Sequence, residues 1–513
     1  MAKEADITSA EKDTPPRDDG TYNHIMKYTG FFGGIQALTL LVSVIRNKLA
    51  AVLLGTMGVG LSALYQSITN FLHNASNLGI AFSSIKEISE HYGKGHKKAV
   101  ARKVEVVRTW SLWTALAGIL LCILFSPLIS QLAFGDSSHI IPICILSPMV
   151  GFMTITAGEL SILKAVRKLK RLALISILSA VGTLLFTVPF YYFWGMRGVV
   201  PALLFGTLAV MLVHLRLSLP VFPWHVALTS KAHLKAGWSL VKVGVPYILA
   251  AIVNMGVGLI IAVFITRVGN LSDVGLYNMG YNLVFTYAGV VFAALEADYF
   301  PRLTGVNTDV SMMNATANRQ IKVCVLVMSP FLILFMVAMP LVVKMLYSSA
   351  FLPMTSMAIF ASLHLFFKSM TLPVAYMSLA KGDAVIYFLM ELAYDTFTVT
   401  AVAVGYWLMD ITGTGVALWL AGVFDWCLIY RVYGKKYGFR PDKASYSFIF
   451  CQFVCVLAAL VMGLQANILL RMASGIILLC ASIAISYKVI RNEITLFKDL
   501  KRILWNKVIK PQK

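Results

Sequence analysis

The chain has 513 residues, of which 58% are hydrophobic and 13% charged, and its 44 Lys and Arg against 23 Asp and Glu give a formal net charge of +21. An average soluble protein is about 25% charged, so a soluble multi-domain enzyme is excluded, as is a disordered chain, which needs low hydrophobicity. A basic nucleic-acid binder sets its charge on a polar chain, and this chain is apolar, which leaves a membrane protein with many spans and no nucleic-acid partner.

In chain order, residues 1–22 are polar, mixed in charge and include Pro15-Pro16. They predict a disordered cytoplasmic tail, not a cleavable signal peptide. A span needs about 20 mostly apolar residues. Fourteen such runs follow, at 28–54, 58–85, 108–133, 139–163, 172–194, 198–219, 241–268, 274–300, 321–347, 352–380, 384–408, 412–433, 445–466 and 468–488. They are too long for strands and do not alternate apolar with polar positions. The expected class is therefore an all-α polytopic membrane protein of about 14 transmembrane helices. The last segment, 491–513, is basic, and Ile494, Phe497, Leu500, Leu504 and Val508 recur at helical spacing. That pattern suits a helix lying on anionic inner-leaflet lipids; a frayed soluble tail is the alternative.

Lys and Arg concentrate in cytoplasmic loops. With the N-terminus inside, 37 of the 44 fall in the inner loops and tails. Arg197, Arg267, Lys344 and Arg471 lie at the outer side, and Arg46, Lys48 and Lys368 lie within apolar runs. Both termini are expected in the cytoplasm.

An internal repeat at an offset of 215 relates Gly58-Val59-Gly60-Leu61 to Asp273-Val274-Gly275-Leu276, Lys27 to Lys242 and Lys86 to Pro301. Six spans separate the copies, so both halves share one orientation. This predicts two six-helix lobes related by a pseudo-twofold axis along the membrane normal, with a cavity between them. The expected boundaries are 23–220 for the first lobe, 221–437 for the second, and 438–490 for two extra spans, between the tails at 1–22 and 491–513.

Covalent chemistry has no visible machinery. No GxxxxGK[ST] loop, HExxH or Ser/His/Asp pattern occurs, the nine histidines lack metal spacing, and the seven cysteines sit in apolar runs without a CxxC pair. No cofactor, metal site or enzymatic step is expected. The informative residues are the polar and charged ones inside spans. An ionisable group there costs about 2.5–3.5 kcal/mol on insertion scales, and so usually faces a cavity or a partner. Arg46 lies about 12 Å below the outer end of span 1 at 1.5 Å per residue, Lys48 lies nearby, and span 1 holds no acid. Both are expected to face an anionic ligand, the alternative being snorkelling to the headgroups. Gln66, Asn70, His73 and Asn77 form one polar face of span 2, and Asn278 and Asn282 a face of span 8; such faces bind sugar hydroxyls or hold helices together. The repeat does not superpose the two faces: the register is off by one, or the halves have diverged. His364 and Lys368 stack on span 10. Glu391, Asp395 and Asp425 are the deep acids of the second half; Glu391 or Asp395 pairs with Lys368, or the three serve as coupling acids. Arg267 faces the cavity or the outer leaflet. Pro189, Pro246, Pro330, Pro340 and Pro373 are positioned to bend spans.

The run Arg46-Asn47-Lys48-Leu49-Ala50-Ala51-Val52-Leu53-Leu54-Gly55, then Gly58-Val59-Gly60-Leu61, resembles the first-hairpin signature of Wzx-type O-antigen and enterobacterial-common-antigen flippases. Tyr376-Met377-Ser378-Leu379-Ala380-Lys381, with Glu391 ten residues on, does so too. The resemblance covers about residues 24–437, and Lys48 and Lys381 match recurring positions. It implies the two-lobe, MATE-like fold of the multidrug, oligosaccharidyl-lipid and polysaccharide exporter superfamily, with spans 13 and 14 as a departure from its twelve helices. It also implies a bacterial inner-membrane flippase for an undecaprenyl-diphosphate-linked oligosaccharide, such as an O-antigen unit of lipopolysaccharide, working by alternating access beside a polysaccharide polymerase and a chain-length regulator. On this view Arg46, Lys48, Arg267 and Lys368 neutralise the diphosphate, while Gln66, Asn70, His73, Asn77, Asn278 and Asn282 hold sugars. The competing readings are a cation-coupled drug exporter of the same fold, which wants an acid in the first-half cavity, a lipid II flippase, and a scaffold or channel.

Overall fold

The computed structural model describes residues 19–493; the expected tail up to residue 18 and the amphipathic segment from Ile494 lie outside the described residues. Fourteen α-helices follow one another: α1 (Asp19–Asn77), α2 (Ile80–Gly93), α3 (Lys97–Ala133), α4 (Ile140–Ala165), α5 (Leu169–Trp194), α6 (Val199–Ser218), α7 (Lys231–Val268), α8 (Leu271–Tyr281), α9 (Tyr287–Thr304), α10 (Val310–Leu346), α11 (Met354–Ala380), α12 (Ala384–Tyr437), α13 (Tyr446–Gly463) and α14 (Ile468–Glu493). Among the described residues, eleven continuous helical stretches are long and apolar enough to cross a membrane. Three of these reverse once, which gives the fourteen crossings that the apolar runs predict.

The reversals have local causes. A straight helix as long as α1, 59 residues, would measure ~89 Å, about twice the ~40–45 Å of a whole bilayer. It breaks at Gly55, whose φ of 66° and ψ of −170° lie where a side chain is strongly disfavoured. α12 breaks at Met409 and Asp410, the latter at φ 50°, and α5 ends at Gly195 before a short 3-10 turn into α6.

α1 to α6 form the first lobe and α7 to α12 the second. α13 packs on α10, and α14 covers α13 and α10, so the two extra crossings belong to the flank of the second lobe. The lobes meet at the face that carries the Gly55 bend, here called the bend face, and again on the opposite side, where a Cβ on Gly79 would lie 2.3 Å from the Gly244 carbonyl oxygen of α7. A Cβ on Gly60 would lie 1.8 Å from the Leu271 carbonyl oxygen, and one on Gly275 would lie 2.1 Å from that of Thr56. Each contact is the other's image at the 215 offset. The repeat therefore fixes a backbone-to-backbone crossing, tightened by the Ser272 hydroxyl donating to Thr56 at 2.5 Å.

The opposite face carries most of the basic loops. There the connection between the lobes, residues 219–230, is strapped to α3. Arg108 donates to the Pro223 carbonyl at 2.7 Å, the Ala227 amide donates to Thr109 at 3.1 Å, and Trp113 donates to the Leu228 carbonyl at 3.3 Å. The Arg108 guanidinium is 1% exposed and forks onto Glu159 at 2.7 and 3.0 Å, and Ser218 also donates to Glu159. Breaking a buried, hydrogen-bonded ion pair by removing one partner strands the other charge and costs about 3–5 kcal/mol. Arg108→Ala is expected to lower the thermal unfolding midpoint in detergent sharply, whereas Arg108→Met with Glu159→Leu recovers most of the loss; equal melting of the single variant and the parent would refute this.

Two loop carboxylates on the basic face tie crossings together. Asp383 accepts from Lys436 at 2.7 Å and Tyr437 at 2.9 Å, and Asp442 pairs with Lys322 at 3.0 Å. The Lys436 bond holds the Asp383 carboxyl below its ordinary range, and the Lys322 bond does the same for Asp442. A carboxylate depressed in the folded state contributes stability above its unfolded pKa of about 4, and that contribution is lost as pH falls through the lower folded value. The Ile386 and Ala444 amides, which donate to these carboxylates, are expected to lose hydrogen-exchange protection below about pH 4 while amides in mid-α11 keep theirs.

Candidate functional site

A cavity of about 490 Å³ lies between the lobes, walled by both arms of α1, by α5 and α6, and by the α8–α9 crossing. Each wall is a helical face. Gln36, Thr39, Ser43, Arg46 and Asn47 come from the first arm of α1, and Ser62, Gln66, Ser67 and Asn70 from the second. Thr183, Thr187 and Tyr191 come from α5, and Asn278, Asn282, Thr286 and Tyr287 from the eighth crossing. Leu54 and Val59 close the cavity beside the Gly60–Gly275 crossing, and Gln36 lines it ~27 Å further along the first arm. The cavity therefore ends blindly at the bend face and extends toward the basic face.

Arg46 is the single cation of this lining. Its Nη2 is 3.4 Å from Asn47 Oδ1, and Tyr191 and Tyr287 lie beside it in the lining. No carboxylate pairs with it among the described residues. Asn47 in turn donates to the Tyr287 hydroxyl at 3.4 Å. The other polar groups are neutral amides and hydroxyls. Gln66 donates to Ser62 at 3.0 Å, Asn282 to Asn278 at 3.0 Å, and Thr286 to Asn282 at 3.1 Å. An unpaired guanidinium offers a planar fork to an anion such as a phosphate. The amides supply both donors and acceptors, as a hydroxyl-rich ligand requires.

The eighth crossing carries a π-helical turn over Asn282–Thr286. The 215 offset relates Gly60 to Gly275 at the crossing, but along the lining an offset of 216 fits better, placing Ser62, Ala63, Gln66 and Asn70 opposite Asn278, Met279, Asn282 and Thr286. Past the start of the π turn, Thr286 and Tyr287 still reach the cavity. Of the two explanations for the mismatch of the polar faces, a register off by one accounts for the lining, while the glycine crossing keeps the 215 offset. π turns of this kind often mark functional sites.

Of the expected site residues, Arg46, Gln66, Asn70, Asn278 and Asn282 are brought together here. The rest lie elsewhere. Lys48 is exposed and donates to the Met345 carbonyl at 2.7 Å, capping α10. Arg267 donates to the Gln131 carbonyl at 3.4 Å, near the end of α3. These are two like arrangements, a cation of one lobe on the last turn of a helix of the other, where the helix dipole favours positive charge. His73 bonds Thr154 of α4 at 3.0 Å, and Asn77 is buried outside the lining. Tyr65, a further sugar-side candidate, is buried against His139 at 2.7 Å. Lys368 lies 5.7 Å from the Phe292 ring centre and makes no ion pair among the described residues. Glu391 and Asp425 lie near it inside the second lobe, and Asp395 lies near Glu391. Sequence reasoning missed Thr183, Thr187 and Tyr191; their four-residue spacing on α5 was the available signal.

A family profile described as "Polysaccharide biosynthesis protein" matches residues 49–356. No curated protein matches the sequence. Among solved structures, an inward-facing multidrug resistance MATE family transporter of the MOP superfamily superposes with a TM-score of 0.65 at 13% identity, over 78% of this chain and 94% of that one. The lipid II flippase MurJ, in an inward closed conformation, superposes with a TM-score of 0.63 at 16% identity, over 90% of this chain and 99% of that one. An outward-facing MATE transporter of the same superfamily gives 0.55 at 14% identity, over 80% and 96%. At these identities the likeness shows the fold.

Proposed function

Because the chain belongs to the polysaccharide biosynthesis protein family and has the fold of MOP-superfamily transporters, we propose that it is a flippase that carries an undecaprenyl-diphosphate-linked oligosaccharide across the bacterial inner membrane. The observation that supports this best is the cavity: one unpaired cation, Arg46, among neutral amides and hydroxyls, with no acid in the lining. The diphosphate binds at Arg46, flanked by Tyr191 and Tyr287, and the sugars lie along Gln66, Asn70, Asn278 and Asn282. The polyprenyl tail stays in the bilayer. With the basic face and both termini in the cytoplasm, the cavity is closed to the outside at the Gly60–Gly275 crossing and receives substrate from within. Rocking of the lobes opens the bend face in turn. Glu391, Asp395 and Asp425 are placed away from the substrate cavity, where ion binding in the second lobe can drive the rocking. Lys48 and Arg267 act on the closed bend face, each holding a helix end of the opposite lobe. A polymerase and a chain-length regulator act on the product outside.

A cation-coupled drug exporter needs an acid where organic cations bind, and the first-lobe lining has none. A lipid II flippase is the closer second reading, favoured by the 90% coverage with MurJ. The test is translocation in vesicles holding the purified chain, with a fluorescent undecaprenyl-diphosphate oligosaccharide, a lipid II analogue and a lipophilic dye cation offered in parallel. The proposal expects only the first to move quickly; faster movement of either of the others would replace it.

A further inference from the structure

We propose that the cleft between the end of α9 and the first turns of α10 is a binding site for the phosphodiester headgroup of an anionic membrane lipid. It is separate from the cavity above. The cleft holds about 390 Å³ and is bounded by Pro301, Arg302, Val306, Thr316, Arg319 and Val323 among others, within the ~300–1,000 Å³ of small-molecule sites. Its charge is specific. Arg302 is neutralised by Asp298, Nη2 to Oδ2 at 2.8 Å. Arg319 is exposed and has no ion-pair partner among the described residues. The site thus carries one net positive charge, matching the single negative charge of a phosphodiester and under-matching a diphosphate.

The shape is that of a lipid. At 100° per residue, Arg319, Val323, Val327, Leu334 and Leu341 fall within about 40° of one line along α10. Val327, Leu334 and Leu341 are 44%, 55% and 62% exposed, so a guanidinium leads into an uncovered apolar stripe. A free phosphate has no use for that stripe, whereas an acyl chain does. The wall opposite is fixed: Asn307 donates to the Ala380 carbonyl at 2.9 Å, and Lys381 returns a bond to the Asn307 carbonyl at 3.0 Å. This gives Lys381 a place in the structure, holding the loop that bounds the cleft.

The test is lipid binding to the purified full-length chain in detergent, read by native mass spectrometry with phosphatidylglycerol, phosphatidylcholine and inorganic phosphate. One basic residue near an anionic surface is worth about fivefold in affinity. Arg319→Gln is expected to weaken phosphatidylglycerol binding about fivefold, and Asp298→Asn, which raises the net charge of the cleft, to strengthen it about fivefold. Because the second change is a gain, damage to the fold cannot imitate it. Arg102→Gln, which removes the same charge from an exposed position on α3, is expected to leave binding unchanged. The proposal requires both shifts. It is overturned if either is missing, if Arg102→Gln weakens binding as much as Arg319→Gln, if phosphatidylcholine binds as tightly, or if millimolar inorganic phosphate displaces the lipid.

Discussion

Arg46→Gln is expected to slow translocation of a diphosphate-linked substrate about 30- to 150-fold, the ~2–3 kcal/mol of a charge-assisted hydrogen bond to an anion, without destabilising the protein. The two halves of this expectation have one cause. Arg46 has no carboxylate partner, so its charge sits within a crossing at a cost of about 2.5–3.5 kcal/mol in the absence of ligand. Removing it relieves that cost, and the variant should melt at the same temperature as the parent or above it. A residue kept for stability behaves in the opposite way. Arg46→Lys keeps the charge and loses the fork, so it should fall between Gln and the parent. Lys48→Ala serves as the contrast. It removes one cation from a helix end, worth about 0.3–1 kcal/mol, and should change translocation less than tenfold. Vesicle translocation rates and detergent melting curves on the same preparations read both halves. A loss of melting temperature matching the loss of transport in Arg46→Gln would show the residue to be structural.

Gly60→Val is expected to abolish closure of the bend face. At that crossing a Cβ would stand 1.8 Å from a backbone oxygen, and backbone on both sides leaves no flexible side chain to give way. Overpacking of this kind costs about 1–3 kcal/mol or more, enough to shift a two-state equilibrium roughly 5- to 150-fold. The lobes separate where Thr56 and Ser272 now touch at 2.5 Å. A cysteine placed at Ser272 should then react with an impermeant maleimide from the outside at least tenfold faster than in the parent background, and net translocation should cease. Gly275→Val should do the same, because the two glycines are reciprocal. Unchanged reactivity with transport intact would show that the crossing does not gate the cavity.

Much of this was legible in the sequence, and the parts that were not share a reason. Fourteen crossings followed from hydropathy alone, because a lipid-facing helix must be apolar along its whole length. The repeat was legible because backbone crossings tolerate only glycine, so Gly60 and Gly275 survive where lining residues diverge. Arg46 stood out as a cation without an acid. Lys48, two residues on, has the same composition signal, and 200° of helical rotation puts it on another face; only the position of α10 shows what it touches. Arg267 was legible only as facing the cavity or the outer leaflet, because its acceptor is a carbonyl of α3, and carbonyls leave no mark in a sequence. The Tyr191 and Thr187 wall was hidden in an apolar run, where two hydroxyls barely lower the mean. The π turn was invisible, since an inserted residue in a helix has no compositional signature.

The strap that binds residues 219–228 to α3 has a practical consequence. The linker between the halves is, for most of its length, a surface feature of the first half, held by Arg108, Thr109 and Trp113. The attachment continues past Ser230 into α7: Trp110 donates to the His233 carbonyl at 3.3 Å, the His233 ring lies 3.4 Å from Glu105, and Leu240 and Val241 pack with Val104 and Val107 of α3. Anyone recombining the halves of related proteins should therefore place the junction beyond Gly244 and let the linker and the first turns of α7 travel with the N-terminal piece. A junction at Leu219, the natural choice from hydropathy, parts Arg108 from Pro223 and leaves a buried guanidinium facing a foreign loop.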